Sequence, residues 1–456
     1  MAGTALRRSG RPRAGGKRAR EGRGRSSTLA AASLGTVFLV ASVASYFFVI
    51  SSRLDVPNLF VAVSILALQS FLVILIVRYI LLIWFAYLDR LEYDGAEDAA
   101  FQPPVSIIVP AYNEARVIDA SLAALLRLRY PRYEVIVVDD GSTDGTYGRA
   151  RRWGGQHGPA SMQVLRQVNG GKARALNAGI RRAMGEIVVC IDADSQLAAG
   201  SLAAMVRHFR DPAVGGVAGN VKVKNRRNVL AGLQALEYLE GLNMVRRTLG
   251  FFRIVNIIPG PVGAFRRAAL EQIGGYDPDT FAEDCDLTVK LLTRGWKIRY
   301  EPRAVSWTEA PERIHDLVRQ RYRWTRGLLQ VAMKHRRFLF SFRGGAATTF
   351  VMWYLCFESI IWPAMNVFGN AFLFVVASAY GFSAVHAFWW AQLTLLDLVA
   401  AFFCVALERE SLALVLYSVV YRLSYILALD VCKVLAGLDE LLGTRMVWGK
   451  LERIGA

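Results

Sequence analysis

Long stretches almost free of charge at both ends of the chain decide what it can fold into. A run of about 20 apolar residues is long enough to cross a bilayer as a helix. Ala30 to Ser51 is one such run, and Asn58 to Leu88 is a second that carries only Arg78. Ser51 to Pro57, with Arg53, Asp55 and the proline, breaks the two apart. Thr348 to Tyr380, Phe382 to Leu407 and Ser411 to Leu438 follow near the other end. The first of these three is longer than one span needs and contains Trp362-Pro363 and Gly369-Asn370, so it reads as one kinked helix or a tight pair. Five spans are expected, with six as the alternative that the basic residues Arg445, Lys450 and Arg453 favour by asking for an inside end. With 54% hydrophobic residues and a mean hydropathy of +0.30, the 456-residue chain does not read as wholly soluble.

The net charge of +18 is uneven, because Met1 to Arg25 holds nine Lys/Arg against one Glu. This arm (1–29) has almost nothing to bury and reads as disordered. A basic arm can bind nucleic acid, but directly before an apolar span it serves to keep that end in the cytoplasm, so no nucleic-acid partner is expected. A cleaved secretory signal fits poorly, since the apolar run is long and a second span follows. Cys190, Cys285, Cys356, Cys404 and Cys432 show neither a zinc spacing nor a disulfide framework. Two crossings (30–90) return the chain to the cytoplasm near Asp89.

From about Pro103 the pattern changes to a soluble α/β domain (103–310). Val105 to Pro110, Glu134 to Val138 and Glu186 to Ile191 read as buried strands, with helices over Ser121 to Arg129 and Ala173 to Met184. Further strands are expected over Gly215 to Val223, Val255 to Phe265 and Arg299 to Trp307. Helices are expected over Ser201 to Phe209, Ala231 to Leu249 and Phe281 to Thr293. Alternating strands and helices imply a mostly parallel sheet with helices on both faces, and ligands of such sheets sit beyond the carboxyl ends of the strands. Ile314 to Phe340 is basic yet carries Trp324, Leu328, Leu329, Val331 and Phe338, the mixture of an amphipathic helix on a membrane surface (311–345) or of a soluble helix with a basic face. Membrane helices (346–440) and a tail (441–456) complete the chain. Within those helices Glu358, Asp397 and Asp430 are candidates for a polar conduit, although Asp430 can pair with Lys433.

Two strands end in acids. Asp192-Ala193-Asp194 can turn two carboxylates toward one hard divalent cation, Mg2+ or Mn2+, although short acidic turns are common. Asp139-Asp140-Gly141-Ser142 is built from ordinary turn residues, but adjacent buried aspartates need donors, which a nucleotide base and ribose offer. Gly170-Gly171-Lys172 is a flexible turn presenting a cation to a diphosphate. Phe281 to Asp286 opens a helix, where acids often only cap; Asp286 fits that role, leaving Glu283 or Asp284 as general base for an alcohol. Gln320, Arg323 and Trp324 combine an amide, a guanidinium suited to diphosphate and an indole face suited to sugar C–H surfaces. An interfacial Arg/Trp belt is the plainer reading of the same residues.

These motifs together resemble the processive family 2 glycosyltransferases of membranes, the hyaluronan, chitin, cellulose and poly-N-acetylglucosamine synthases. The resemblance runs from about Val105 to Arg337. It rests on Pro110 to Glu114, Val138 to Ser142, Gly171 to Asn177, Asp192 to Asp194, Ala282 to Asp284 and Gln320 to Trp324, in that order. It implies a GT-A-like nucleotide-sugar-binding domain inserted between N-terminal and C-terminal transmembrane helices of an inner or plasma membrane, working on the cytoplasmic side. It further implies that Tyr112, Glu114 and Asp140 hold the uridine, with Asp192 also on the nucleotide, and that Lys172 holds the phosphates. Asp194 helped by Asp192 would ligate the metal, and Asp284 would be the base. Gln320, Arg323 and Trp324 would line the acceptor and diphosphate end. Ala282 departs from the Thr of many members. The donor would be a UDP-sugar, N-acetylglucosamine by resemblance, and the acceptor a polysaccharide or oligosaccharide. Transfer of one sugar to a polyprenyl-phosphate is the rival enzyme reading, and a transporter with inert acids the non-enzyme one. No partner membrane subunit is named by the sequence.

Overall fold

Strands buried on both faces need near-continuous apolar runs, and the central strands have them, broken only where Ser106 donates to Glu134 across β1 and β2. The computed structural model describes residues 59–92, 101–382 and 384–444, with most of those between 29 and 44, which are helical. The basic arm, much of the first expected span and the tail lie outside the described residues. Nine strands form one sheet: β1 (Val105–Ala111), β2 (Tyr133–Asp139), β3 (Gly155–His157), β4 (Ala160–Arg166), β5 (Ile187–Cys190), β6 (Gln196–Leu197), β7 (Val214–Val223), β8 (Gly263–Arg266) and β9 (Lys297–Thr308). Their order is β3-β4-β2-β1-β5-β8-β7-β9-β6. The long registers, β1 with β2 and β5, β2 with β4, and β7 with β9, are parallel, and the short ones at β3, β6 and β8 are antiparallel.

Alternation divides the core. Ile107, Val109, Val135, Val137 and Val189 face one apolar cluster, while Ile108, Ile136, Val138, Val188 and Cys190 face the other. The helix Lys172–Arg182 covers the second face, where Gly179 lets its backbone press onto β1: a Cβ there would lie 2.4 Å from Ile108 Cγ2.

Three expectations need correction. Val255 to Phe265 is not one strand; only Gly263–Arg266 pairs, because Pro259 and Pro261 cannot donate to a ladder. β3, β4 and β6 have no counterpart in the sequence reading, since Ala160–Arg166 carries polar residues and β6 is two residues long. Thr348 to Tyr380 is one helix rather than a tight pair: Gly345–Cys356, a π-helical turn at Phe357–Ile361 and Trp362–Tyr380 run on without a break. The wider turn ends just before Pro363, which has no N–H for the helix ladder, and a π-helical turn is where a helix absorbs such a break.

Among the described residues three helices are long and apolar enough to cross a membrane: Leu66–Glu92, Phe342–Ala379 and His386–Glu408. Leu412–Val420 and Ser424–Leu441 form a pair bent by 62° that would make a fourth. Their carboxylates are paired. Asp397 Oδ2 accepts from Arg422 Nε at 2.8 Å, Asp430 meets Lys433 at 3.0 Å, and Glu358 meets Arg78. The sheet domain is tied to the helix ends by Arg247, which reaches Asp89 and Glu408 at 3.1 Å each.

Adding the missing methyl at the tightest of these contacts, Gly179→Ala, is expected to destabilise the domain by about 1–3 kcal/mol. Thermal unfolding of the detergent-solubilised chain measures it, and an unchanged midpoint would mean that helix and strand stand further apart.

Candidate active site

Parallel pairing delivers the acidic side chains to one edge of the sheet. Ala111 at the end of β1 is opposite Asp139 at the end of β2, and Asp140 N–H donates to the Ala111 carbonyl at 2.8 Å. On the other side of β1, Ile191 N–H donates to the Ile108 carbonyl at 3.0 Å, so the chain leaves toward Asp192 from the same edge.

Tyr112 and Glu114 are half-buried in the turn after β1. That turn requires a left-handed residue, supplied by Asn113 at φ 54°. Asn113 N–H donates to Ser142 Oγ (2.9 Å), its Oδ1 accepts from Thr143 N–H (2.8 Å), and Glu114 N–H donates to Thr146 Oγ1 (2.7 Å). The Ser142 to Thr146 segment is therefore the scaffold on which the Tyr112–Glu114 turn rests.

Asp140 is buried, and both its oxygens accept hydrogen bonds. Oδ1 takes Gln167 Nε2 (2.7 Å) and Gly170 N–H (2.9 Å), and Oδ2 takes Gly171 N–H (2.8 Å). Gly171, at φ 87°, makes a bend that a side chain would strain. The sequence reading sets Asp140 against the uridine; within the chain it bends the segment after β4 into the helix that Lys172 begins.

Lys172 Nζ lies 2.7 Å from Asp192 Oδ1 and 3.0 Å from Glu283 Oε1. Burial works against its charge, but Asp192 and Glu283 outweigh burial and raise its pKa, so the ammonium stays charged. Asp284, half-buried at the start of the helix Glu283–Thr293, accepts only its neighbour's N–H, from Cys285 at 2.8 Å, among the hydrogen bonds described for its side chain. Burial first and Glu283 second push its carboxyl up to about 6, with Lys172 opposing. Such a group accepts a proton near neutral pH. Of the two acids, Glu283 is engaged by the lysine, while among the described residues Asp284 is in no ion pair.

Asp194 is buried, with Oδ1 accepting from Ser195 Oγ at 3.1 Å. Beside Asp192 the chain runs as bare backbone: a Cβ on Gly260 would lie 2.7 Å from Lys172 Nζ and 3.1 Å from Asp192 Oδ2. The hard oxygens of Asp192 and Asp194 are the donor type that Mg2+ or Mn2+ takes. A separate trio, Asp277, Asp279 and Asp286, also brings its oxygens within 4.8 Å of one another. There the chain supplies the cation itself: Lys334 Nζ is 2.8, 2.8 and 3.0 Å from the three, and His335 Nε2 is 2.7 Å from Asp286. Asp286 is thus an anchor between helices rather than the cap expected of it.

Gln320 is buried, and Arg323 and Trp324 half-buried, on the helix Ile314–Lys334. This helix joins the acids through backbone. A Cβ on Gly327 would lie 2.7 Å from Ala282 N and 2.8 Å from Phe281 C, and Gln330 Oε1 accepts from Phe281 N–H at 3.0 Å. Gln320, Arg323 and Trp324 therefore stand one to two turns from the contact that sets Glu283 and Asp284. Gln167, Gly260, Gly327 and Lys334 carry no motif of their own, and their roles depend on which loops meet. A cavity of about 390 Å³ lined by Gln196, Val223, Lys224, Arg226, Trp307 and Glu410 includes none of the expected site residues.

A largely parallel sheet with acids at adjoining strand ends, a lysine held between them and a carboxyl poised near neutrality defines a glycosyltransferase of the GT-A kind. A family described as "Glycosyltransferase like family 2" matches residues 103–327. Poly-beta-1,6-N-acetyl-D-glucosamine synthase of Staphylococcus epidermidis is 31% identical over 291 residues, which cover 61% of this chain and 70% of that protein. The synthase of the same name from Staphylococcus aureus (strain COL) is 32% identical over 258 residues, 56% of this chain and 61% of that one. A mannosyltransferase from Pyrobaculum calidifontis, solved in complex with GDP-Man and Mn2+, superposes with a TM-score of 0.63 at 26% identity, covering 84% of this chain and 99% of that chain. The chain belongs to glycosyltransferase family 2.

Asp140→Asn turns an amide N–H toward the backbone N–H groups that the carboxylate now accepts, and is expected to cost about 1–3 kcal/mol of stability. Denaturation in the absence of nucleotide measures it; an unchanged midpoint would mean that Asp140 serves the ligand alone.

Proposed function

We propose that the chain is a membrane-embedded synthase that adds N-acetylglucosamine from UDP-N-acetylglucosamine to a growing β-linked polysaccharide, with its catalytic domain on the cytoplasmic side of a plasma membrane. The observation that carries this reading is Lys172 bridging Asp192 and Glu283 beside an Asp284 whose carboxyl is pushed up to about 6. The staphylococcal synthases that share this part of the chain support the choice of sugar and of polymer. The apolar helices on both sides of the catalytic domain support a product handed to the membrane.

In this reading Asp284 takes the proton of the acceptor hydroxyl as that oxygen attacks the anomeric carbon. Lys172, and Arg323 from the helix opposite, take up the charge of the departing diphosphate. Asp192 and Asp194 would hold a divalent cation, which when bound supplies further neutralisation of that diphosphate. Tyr112 and Glu114 stand on the base side of the nucleotide, with Asp140 beneath the loop that carries Lys172. The face of Trp324 and the amide of Gln320 receive the acceptor sugar. A single displacement inverts the configuration, so an α-linked donor yields a β-linkage.

Asp284→Asn is expected to abolish transfer while leaving UDP binding by calorimetry intact; retained turnover would reject this base. Transfer by the unmodified chain is expected to fall as pH drops through about 6, because only ionised Asp284 accepts a proton. A pH–rate profile flat between pH 5 and 7 would contradict it, on the scale of the ordinary carboxylate pKa of about 4. Product analysis after incubation with labelled UDP-N-acetylglucosamine and Mg2+ or Mn2+ tests the activity itself: a ladder of sugars is expected, and one sugar on a lipid would overturn the polymerising reading.

A further inference from the structure

The acceptor-side residues Gln320 and Trp324 are oriented by a third group of the same stretch, Arg321. Arg321, between them in sequence, is buried, and its guanidinium is used on three sides. Its Nη1 donates to Gln320 Oε1 at 2.5 Å, its face lies 4.3 Å from the centre of the Trp324 ring, and its Nη2 donates to Glu237 Oε2 at 2.6 Å. Glu237 comes from a different part of the chain, the end of the helix Val229–Glu237. The same Oε2 also accepts from the hydroxyl of Tyr425 at 2.5 Å, in the π-helical turn Tyr421–Ile426 of the bent last pair of apolar helices.

We infer that Glu237 is a positioning residue for the acceptor site: through Arg321 it sets the direction of the Gln320 amide and the plane of the Trp324 indole, and through Tyr425 it registers both to the last apolar helix pair. This rests on the function proposed above.

The chemistry of each contact supports it. With its oxygen turned to Arg321, the Gln320 amide directs its two N–H donors away from the guanidinium, which suits hydroxyl and acetamide oxygens of a sugar. With one indole face covered by a guanidinium, Trp324 has only its other face for a sugar ring. A guanidinium is planar and stays charged, so the angle between its Glu237 edge and its Trp324 face is rigid. Moving Glu237 therefore turns both acceptor groups together. Neither contact involves Lys172, Asp192 or Asp284, so the donor side is left as it was.

The test uses the full-length purified chain and variants Glu237→Gln, Glu237→Asp and Tyr425→Phe, each alone and with Trp324→Ala. UDP release is measured against UDP-N-acetylglucosamine and against a β-linked N-acetylglucosamine oligosaccharide. Glu237→Gln keeps shape but loses the charge that holds Arg321, and should raise the acceptor KM about tenfold with the donor KM within about twofold. Glu237→Asp should recover part of the loss. In the Trp324→Ala background Glu237→Gln should add little, because the group it orients is gone; well-separated structural effects would instead multiply. An unchanged acceptor KM, an equal rise in both KM values, or full additivity with Trp324→Ala would overturn the inference. Should Glu237→Gln fail to fold, Tyr425→Phe, which removes one hydroxyl, carries the same comparison with a rise of about threefold. UDP release counts transfer to any acceptor, so the coupling to Trp324 is decided even where product analysis rejects a polymer.

Discussion

One ammonium between two carboxylates organises the site. Asp192 lies just past β5 and Glu283 opens a helix some ninety positions later, and like charges brought this close would repel without a cation between them. Lys172 supplies it, and Lys172 is itself fixed by the loop that Asp140 holds through the amides of Gly170 and Gly171. Three strand-end segments are thus locked together by charge and backbone hydrogen bonds, with apolar packing only behind them. Asp284 gains its raised pKa in this setting, because burial and Glu283 act on it more strongly than the lysine does.

The same economy governs how the catalytic domain meets the apolar helices. Lys334 gathers Asp277, Asp279 and Asp286, fastening the helix of Gln320 and Trp324 to the helix of Asp284. Arg326 pairs with Glu440 at 2.5 Å and Tyr322 with Asp439 at 2.5 Å, fastening that same helix to Leu427–Leu441. Arg247, on the helix Met244–Phe251, links Asp89 and Glu408, and Asn220 of β7 donates to Glu408 Oε2 at 2.7 Å, so the ends of two further apolar helices are held to the sheet domain. Charges on this helix that look from sequence like a solvated face are mostly internal ties.

Much of this was legible in advance, and the reasons differ by element. β1, β2 and β5 announce themselves because strands buried on both faces are rich in β-branched residues, and the acids that end β2 and follow β5 fall where parallel pairing must collect them. Val255 to Phe265 misleads because its apolar content looks like a strand while its prolines forbid one. β4 escapes notice because half its residues are polar. The identities of Asp140, Lys172, Asp192 and Asp284 can be read from motifs; that Asp140 grips a glycine turn, or that Arg321 rather than Arg323 is locked to Glu237, cannot. Such partners depend on tertiary approach between segments 30 and 84 residues apart, and no local pattern encodes it.

The pairing of Asp397 with Arg422 bears on biogenesis. A lone carboxylate or guanidinium at the middle of a hydrophobic helix raises its insertion free energy by about 2.5–3.5 kcal/mol. The helix of Asp397 emerges from the ribosome before the one bearing Arg422, and until the second arrives the first has no counter-charge from it. The two segments are therefore expected to be retained side by side in the insertion machinery and released to lipid together, as a single hydrophobic unit assembled from two imperfect ones.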